Sequence, residues 1–265
     1  MPPPKSEVSL LSTGMPQLDE FLGGGLDPGS LILLVEPSGA GGEIFAKQFA
    51  GGPAPASPGR SIYFSTEESE REMIRAFDRF HFPGQPRFLS LSDVHARHVL
   101  DTKGGGALGR SLRPVATQEL LASDSADLLQ RSGAVGEDYL DELIRPYTSG
   151  SPPTRLTIHS IDFFIGLYGA ERVVETLTAL KAANSQVGGL VLVVLTSNPM
   201  HRAGTEGQLE RIADCLIELE FHRRGAEFEK FLLVKKVRNK YTGTGVAPYQ
   251  VTERGFEIDS LNRIM

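Results

Sequence analysis

The residues whose types and spacing carry the most chemistry lie between Leu31 and Ala50, in LILLVEPSGAGGEIFAKQFA. Leu31 to Val35 read as a short buried strand, Ser38, Gly39, Ala40, Gly41 and Gly42 as a loop of small residues, and Ile44, Phe45 and Phe49 as an apolar pattern at helical spacing. Strand, glycine loop and helix form the layout in which backbone N–H groups and the positive end of a helix cradle a phosphate. The residues that complete that chemistry differ here. In the pattern G-x-x-x-x-G-K-[ST], the first glycine falls on Glu36, the second on Gly41, the lysine on Gly42 and the hydroxyl residue on Glu43, so only Gly41 fits. The missing lysine removes a charge-assisted contact of about 1.5 to 3 kcal/mol, or ~10- to ~100-fold in affinity. Glu43 sits in the first helical turn, four residues before Lys47, where a carboxylate suits both the helix dipole and an ion pair. It is expected to stand as the protein's own anion where a phosphate would sit. A Gly-rich turn with ordinary helix-start chemistry accounts for this stretch about as well.

A loop of this kind needs a scaffold, and the rest of the 265 residues outlines one. Residues 1–9 are Pro-rich and read as a loose arm; Ser12 or Thr13 can cap a short helix through Phe21. Strands are expected at Ser61 to Ser65, Arg87 to Ser92, Leu156 to Phe164 and Gly189 to Asn198, then in CLIELEF and FEKFLLVKKVR, with a last hairpin in PYQVTERGFEID. Helical patterns separate the earlier strands. Strands alternating with helices and then an antiparallel finish predict an α/β fold, a mostly parallel sheet covered on both faces. Alternation stops between Asp93 and Pro153, where a glycine-rich basic stretch (DTKGGGALGRSLRP) is followed by two helical patterns, TQELLASDSADLLQ and EDYLDELIRPY. This reads as an insertion or lid, at about 93–153, within a single domain of residues 10–265.

Composition narrows the setting. A formal net charge of −6 gives no overall positive field toward nucleic acid or anionic membrane. The single cysteine, Cys215, lies in an apolar strand; it excludes a disulfide or thiolate metal cluster within one chain and suits a reducing cytoplasm. No apolar run approaches ~18 residues, and the Met-Pro-Pro-Pro start lacks the regions of a signal peptide, so a cytoplasmic protein without membrane contact is expected. His95 and His98 have H-x-x-H spacing but no evident third ligand, and read as a loop pair.

Taken in order, these segments resemble the RecA-like P-loop ATPases, most closely the KaiC-like group that includes the RadA-type recombinase paralogues. STGMPQLDEFLGGGLDPGSLILL resembles that group's signature ahead of the loop; YFSTEES matches its strand and acidic pair; LTIHSID falls at its second nucleotide motif; VKKVRN resembles its Lys-x-Arg segment. The likeness spans roughly residues 10 to 259 apart from the insertion. It implies a RecA-like fold with a C-terminal antiparallel hairpin, and an archaeal source is consistent with it.

The resemblance also assigns expected roles. Its second motif needs an Asp that holds the water shell of Mg²⁺, and His159 stands there; imidazole is a poor ligand for a hard ion. Asp162, three residues on, would face away if the strand continued. Glu67 and Glu68 fall where one carboxylate would activate water, although Ser65 to Glu68 also spell an S-x-x-E capping box, the preferred account. Thr196, Ser197 and Asn198 end a strand where the γ-phosphate is sensed. Lys236 and Arg238 would reach a neighbour's nucleotide; with Lys240 they share one face if the strand continues, and they also suit a solvated edge.

Together these features imply a non-hydrolysing pseudo-ATPase that binds ATP or ADP weakly or not at all and does not retain Mg²⁺. It would act as a regulatory or structural subunit of a homo-oligomer, or of a hetero-oligomer with an active KaiC/RecA-like relative, with Glu67, Glu68, Lys236 and Arg238 vestigial or working in trans. Two alternatives remain open. One is an active or slow ATPase in which Lys103, Arg110 or Arg113 replaces the lysine. The other is a recombinase paralogue on single-stranded DNA, which the loop after Asn198 favours little, since it offers His201 and Arg202 but no stacking aromatic.

Overall fold

The computed structural model describes residues 9–52, 60–92, 139–148, 152–197, 202–224, 227–240 and 244–259. In chain order their elements are α1 (Pro16–Phe21), β1 (Leu31–Glu36), α2 (Gly42–Ala50), β2 (Ser61–Ser65), α3 (Glu70–Phe80), β3 (Arg87–Ser90), α4 (Tyr139–Thr148) and β4 (Arg155–His159). There follow α5 (Asp162–Tyr168), α6 (Ala170–Val187), β5 (Leu190–Thr196), α7 (Arg202–Ile212), β6 (Cys215–Arg224), β7 (Glu227–Val237), β8 (Gly245–Thr252) and β9 (Gly255–Ile258). Among the described residues the strands form one nine-stranded sheet in the order β3-β2-β4-β5-β1-β6-β7-β8-β9. From β3 to β6 every pairing is parallel, and from β6 to β9 every pairing is antiparallel.

The middle of the sheet is buried on both sides, which is why β1 and β5 read as unbroken apolar runs. Alternate residues of β1 serve different cores: Ile32 and Leu34 pack with Phe45, Phe49 and the β8–β9 hairpin, while Leu31, Leu33 and Val35 pack with α4, α5 and α6. The helix expected in EDYLDELIRPY is α4, which buries Tyr139, Leu140 and Leu143 in the second core. The other calls made for the insertion, its glycine-rich stretch and first helical pattern, lie outside the described residues, as do residues 1–8, His95 and His98.

Several local expectations are corrected. The strand expected from Leu156 to Phe164 ends at His159, and Asp162 opens a helix instead. The apolar run continues across the break because Ile161 and Phe164 are buried in the same core as Ile158, so composition alone does not mark the boundary. At the entry segment neither Ser12 nor Thr13 caps α1, whose N-cap is Met15 with no side-chain cap. Both hydroxyls donate to the Asp19 carboxylate instead, Ser12 at 2.5 Å and Thr13 at 2.7 Å. Gly25, at φ 116°, passes so close to Leu11 that a Cβ would lie 2.3 Å from its carbonyl oxygen; part of the glycine run is thereby explained.

Candidate phosphate-loop site

β1 delivers the chain to the loop at Glu36, which is buried at 7% exposure. Gly39 and Gly41 adopt left-handed φ values of 86° and 106°, and α2 then begins at Gly42. Those turns aim the first amide of the helix back at the strand end: Gly42 N–H donates to Glu36 Oε2 at 2.7 Å. The carboxyl in the loop is therefore that of Glu36. The expectation for Glu43 is corrected, since its side chain is 54% exposed and its nearest charge is Lys47 Nζ at 3.9 Å. A Cβ on Gly42 would lie 2.1 Å from Glu36 Oε1. Glycine at the lysine position and a carboxyl at the first-glycine position are thus one arrangement. Burial pushes the Glu36 carboxyl up to about 7; the Gly42 N–H opposes this, and the carboxylates of Glu43, Glu67 and Asp162 add to it.

Beside the loop is a cavity of about 360 Å³. Glu36, Glu43 and Glu67 line it, with His159 and Thr196 from the ends of β4 and β5 and Lys230 and Val251 from the antiparallel strands. Two contacts tie the antiparallel strands to the loop: Tyr249 Oη donates to Ala40 O at 2.7 Å, and Lys230 Nζ donates to the same oxygen at 3.5 Å while lying 6.0 Å from the Tyr249 ring. Ser38 and Ile44 also border the cavity, and Ala40 is wholly buried.

The capping account of Glu67 and Glu68 is also corrected. Ser65 Oγ accepts from their backbone N–H groups, at 3.2 and 2.9 Å, but α3 starts later and its capping box is Ser69 with Glu72. Both carboxylates are free to turn inward. Glu67 Oε1 accepts from Ser160 Oγ at 2.9 Å, and Glu68 Oε1 accepts from Lys47 Nζ at 2.8 Å. Lys47 is 1% exposed. Burial raises the Glu68 carboxyl even against that lysine.

His159 is 5% exposed, and burial, with Lys47 nearby, pushes its imidazole down to about 4. It is therefore neutral at pH 7, and its buried Nδ1 has no hydrogen-bond partner. Tyr63 Oη, Thr157 Oγ1 and Glu68 Oε2 are likewise buried without one. Asp162 opens α5, and its Oδ2 accepts from Thr196 N–H at 2.9 Å, so it ties the start of α5 to the end of β5. Ser197 N–H donates to Glu36 O at 2.6 Å; Asn198 lies outside the described residues. No group of three or more His, Cys, Asp or Glu side chains suited to a metal ion occurs among the described residues. Where the resemblance places the lysine, hydroxyl and aspartate of a magnesium-nucleotide site, the residues are Gly42, Glu43 and His159, and the helix's first amide already holds a carboxylate.

The basic segment is engaged within the chain. Lys236 Nζ donates to Glu210 O at 2.9 Å, Arg238 Nε pairs with Asp214 at 3.0 Å, and Lys240 Nζ donates to Leu22 O and Gly25 O. A bulge at Lys235 and a left-handed turn at Asn239 (φ 61°) break the simple alternation, so Lys240 does not extend the face. A reach into a neighbouring subunit would trade these bonds for new ones. Cys215 is buried, its thiol pushed up to about 12, as befits a core residue.

Sequence reasoning missed three contributors: Glu36 as the carboxyl in the loop, Lys230, and Ser160 as the partner of Glu67. Only the first had a signal, an acidic residue closing a fully apolar strand directly before the loop.

The sheet order and the glycine loop at the end of β1 define a KaiC-like RecA fold. The structure superposes on that of a KaiC-like protein from the hyperthermophilic archaeon Pyrococcus horikoshii with a TM-score of 0.62 and 19% identity, covering 95% of this chain and 99% of that one. The chain belongs to the family of unknown function DUF7125, whose model matches residues 10–148. It is also similar to a UPF0273 protein of Methanopyrus kandleri, 23% identical over 255 residues (95% of this chain, 92% of that protein). A UPF0273 protein of Aeropyrum pernix is 24% identical over 251 residues, covering 94% of this chain and 92% of its own. No helix among the described residues is long and apolar enough to cross a membrane.

Proposed function

We propose that this protein is a non-hydrolysing KaiC-like module that keeps the RecA scaffold for assembly, as a regulatory or structural subunit of a homo-oligomer or of a hetero-oligomer with an active relative. The observation that carries this reading is the Glu36 carboxyl inside the glycine loop, bonded to Gly42 N–H. A triphosphate would have to displace it and then meet Glu43 and Glu67 across the cavity. With like charges at this range and no loop lysine, binding is opposed before any chemistry starts. With His159 at the aspartate position, Glu67 and Glu68 would have no metal-bound water to act on; in an assembly they could still face a relative's nucleotide. The cytoplasm is the expected compartment, and the archaeal relatives fit an archaeal source.

Titration with labelled ATP and Mg²⁺, followed by phosphate release, tests the reading: neither saturation in the micromolar range nor turnover is expected. One observation favours a slow ATPase instead, namely the approach of Lys230 Nζ to the loop at Ala40 O. Under that reading Lys230→Ala would abolish nucleotide binding, which the present reading says is absent from the start.

A further inference from the structure

We propose that the far end of the β6–β7 ribbon is a two-fold docking surface for a second copy of this chain. The inference rests on the reading that the protein works by assembly, and it extends that reading by naming the surface. β6 and β7 stay paired from Cys215 with Val237 to Arg224 with Glu227, but their outer neighbours stop short. β1 pairs with β6 only as far as Glu218, and β8 joins β7 only over Phe231 to Val234. The ribbon therefore runs on past the parallel sheet. Among the described residues, no backbone hydrogen bond reaches its β6 edge at residues 219–222 from outside the ribbon. Unpaired N–H and C=O groups along such an edge are a template for another strand.

A second, independent observation is the aromatic pair on this ribbon. Phe221 is 37% exposed and Phe228 is 61% exposed, and their rings meet edge to face at 5.7 Å. With Val251 on β8 they are three of the four large hydrophobic residues left exposed among the described residues, the fourth being Ile74 on α3. Apolar surface gathered beside an open strand edge marks a contact surface. The order of charges along the edge selects the occupant. Glu220, Phe221 and His222 are self-complementary: when a second β6 runs antiparallel about a two-fold axis at Phe221, each Phe221 faces its symmetry mate and each Glu220 faces His222 of the other copy. Those two side chains suit each other, since Glu220 Oε2 and His222 Nε2 lie 3.1 Å apart within the chain. Alternation puts the rings on one face of the joined ribbons and the polar pairs on the other, and Phe228 widens the aromatic contact.

The test uses the full chain, with light scattering behind size exclusion to count copies and circular dichroism to confirm that each variant is folded. The parent should self-associate, and Phe221→Ser should weaken that association about 10-fold or more. His222→Glu, which sets like charges across the axis, should weaken it by a similar factor, and adding Glu220→Lys should restore it. Facing residues of antiparallel strands lie within disulfide reach, so Phe221→Cys should oxidise to a covalent dimer, whereas Ile74→Cys on α3 should not. Cross-linking no faster at 221 than at 74 overturns the inference. An assembly that survives both Phe221→Ser and His222→Glu unchanged also overturns it, and leaves the assembly reading standing. A parent that stays monomeric at about 100 µM removes the inference together with the homo-oligomeric form of that reading.

Discussion

At the C-terminal end of α2 the Arg155 guanidinium donates to the carbonyls of Ser12, Thr13 and Phe49 and lies 4.7 Å over the Phe49 ring, while Asp19 gathers Ser12 and Thr13. At the N-terminal end of the same helix, Glu36 holds one backbone N–H, sits among other carboxylates, and shares its cavity with a histidine whose Nδ1 has no partner. Both clusters are largely buried. The first satisfies its charged group so fully that it serves as a clasp between the entry segment, α2 and β4; burial still lowers Arg155 to about 10, with Asp19 opposing. The second leaves groups unpartnered and a carboxyl displaced from its ordinary range. Clusters built only to hold a fold seldom keep such features, whereas sites that meet a ligand do.

Removing the clasp should have the largest effect. Arg155→Met removes the guanidinium donor from the carbonyls of Ser12, Thr13 and Phe49, the last two of them buried, and should lower unfolding free energy by roughly 3 kcal/mol or more, read from urea denaturation. Lys47→Met comes next, because it strands Glu68 in the interior; a loss of about 2 to 3 kcal/mol is expected at pH 8. Since burial already raises Glu68, its protonation should shrink that loss as pH falls toward 5. A loss independent of pH would place the lysine's role in packing instead.

Glu36→Gln should act in the opposite direction. With a folded value of about 7 against an ordinary 4.5, the native state binds the proton more tightly than the unfolded chain. The stability this group contributes is therefore fully present below about 4.5 and is lost as pH rises through 7. The glutamine variant lacks that loss, so it should match the parent at pH 4 and exceed it at pH 8 by up to roughly 3 kcal/mol. Equal stability at both pH values would show that the loop does not strain this carboxyl. Smallest is a coupling. Gly42→Ala should destabilise by displacing the carboxyl, and in the Glu36→Gly background that penalty should shrink by about 1 kcal/mol, measurable as a double-mutant cycle.

The two clusters also differ in how far local sequence exposes them. Ser61 to Ser65 matches β2 residue for residue, and the parallel order followed from strands alternating with helices. Apolar runs gave way at their ends: Leu156 to Phe164 hid a strand end and a helix start because both are buried. At the loop, the missing lysine and hydroxyl are plain in the sequence, but the carboxyl that fills the loop is expected there at Glu43 and is found at Glu36. Helix-start chemistry favours a carboxyl at either place, and only the left-handed turns at Gly39 and Gly41 swing Gly42 N–H onto Glu36. Likewise S-x-x-E occurs at Ser65 and again at Ser69, and the segment before α3 uses the second. Lys230 arrives from β7, a strand far along the chain, and no local pattern announces it.

The most direct measurement compares calorimetric titration of magnesium ATP into the parent chain and into a variant carrying Glu36→Gly, Gly42→Lys, Glu43→Thr and His159→Asp. An empty loop in the parent, with no saturation at micromolar nucleotide, and measurable affinity in the variant are the predicted results. Tight binding by the parent, with its terminal phosphates bonded to Gly42 N–H in place of Glu36, would contradict the account.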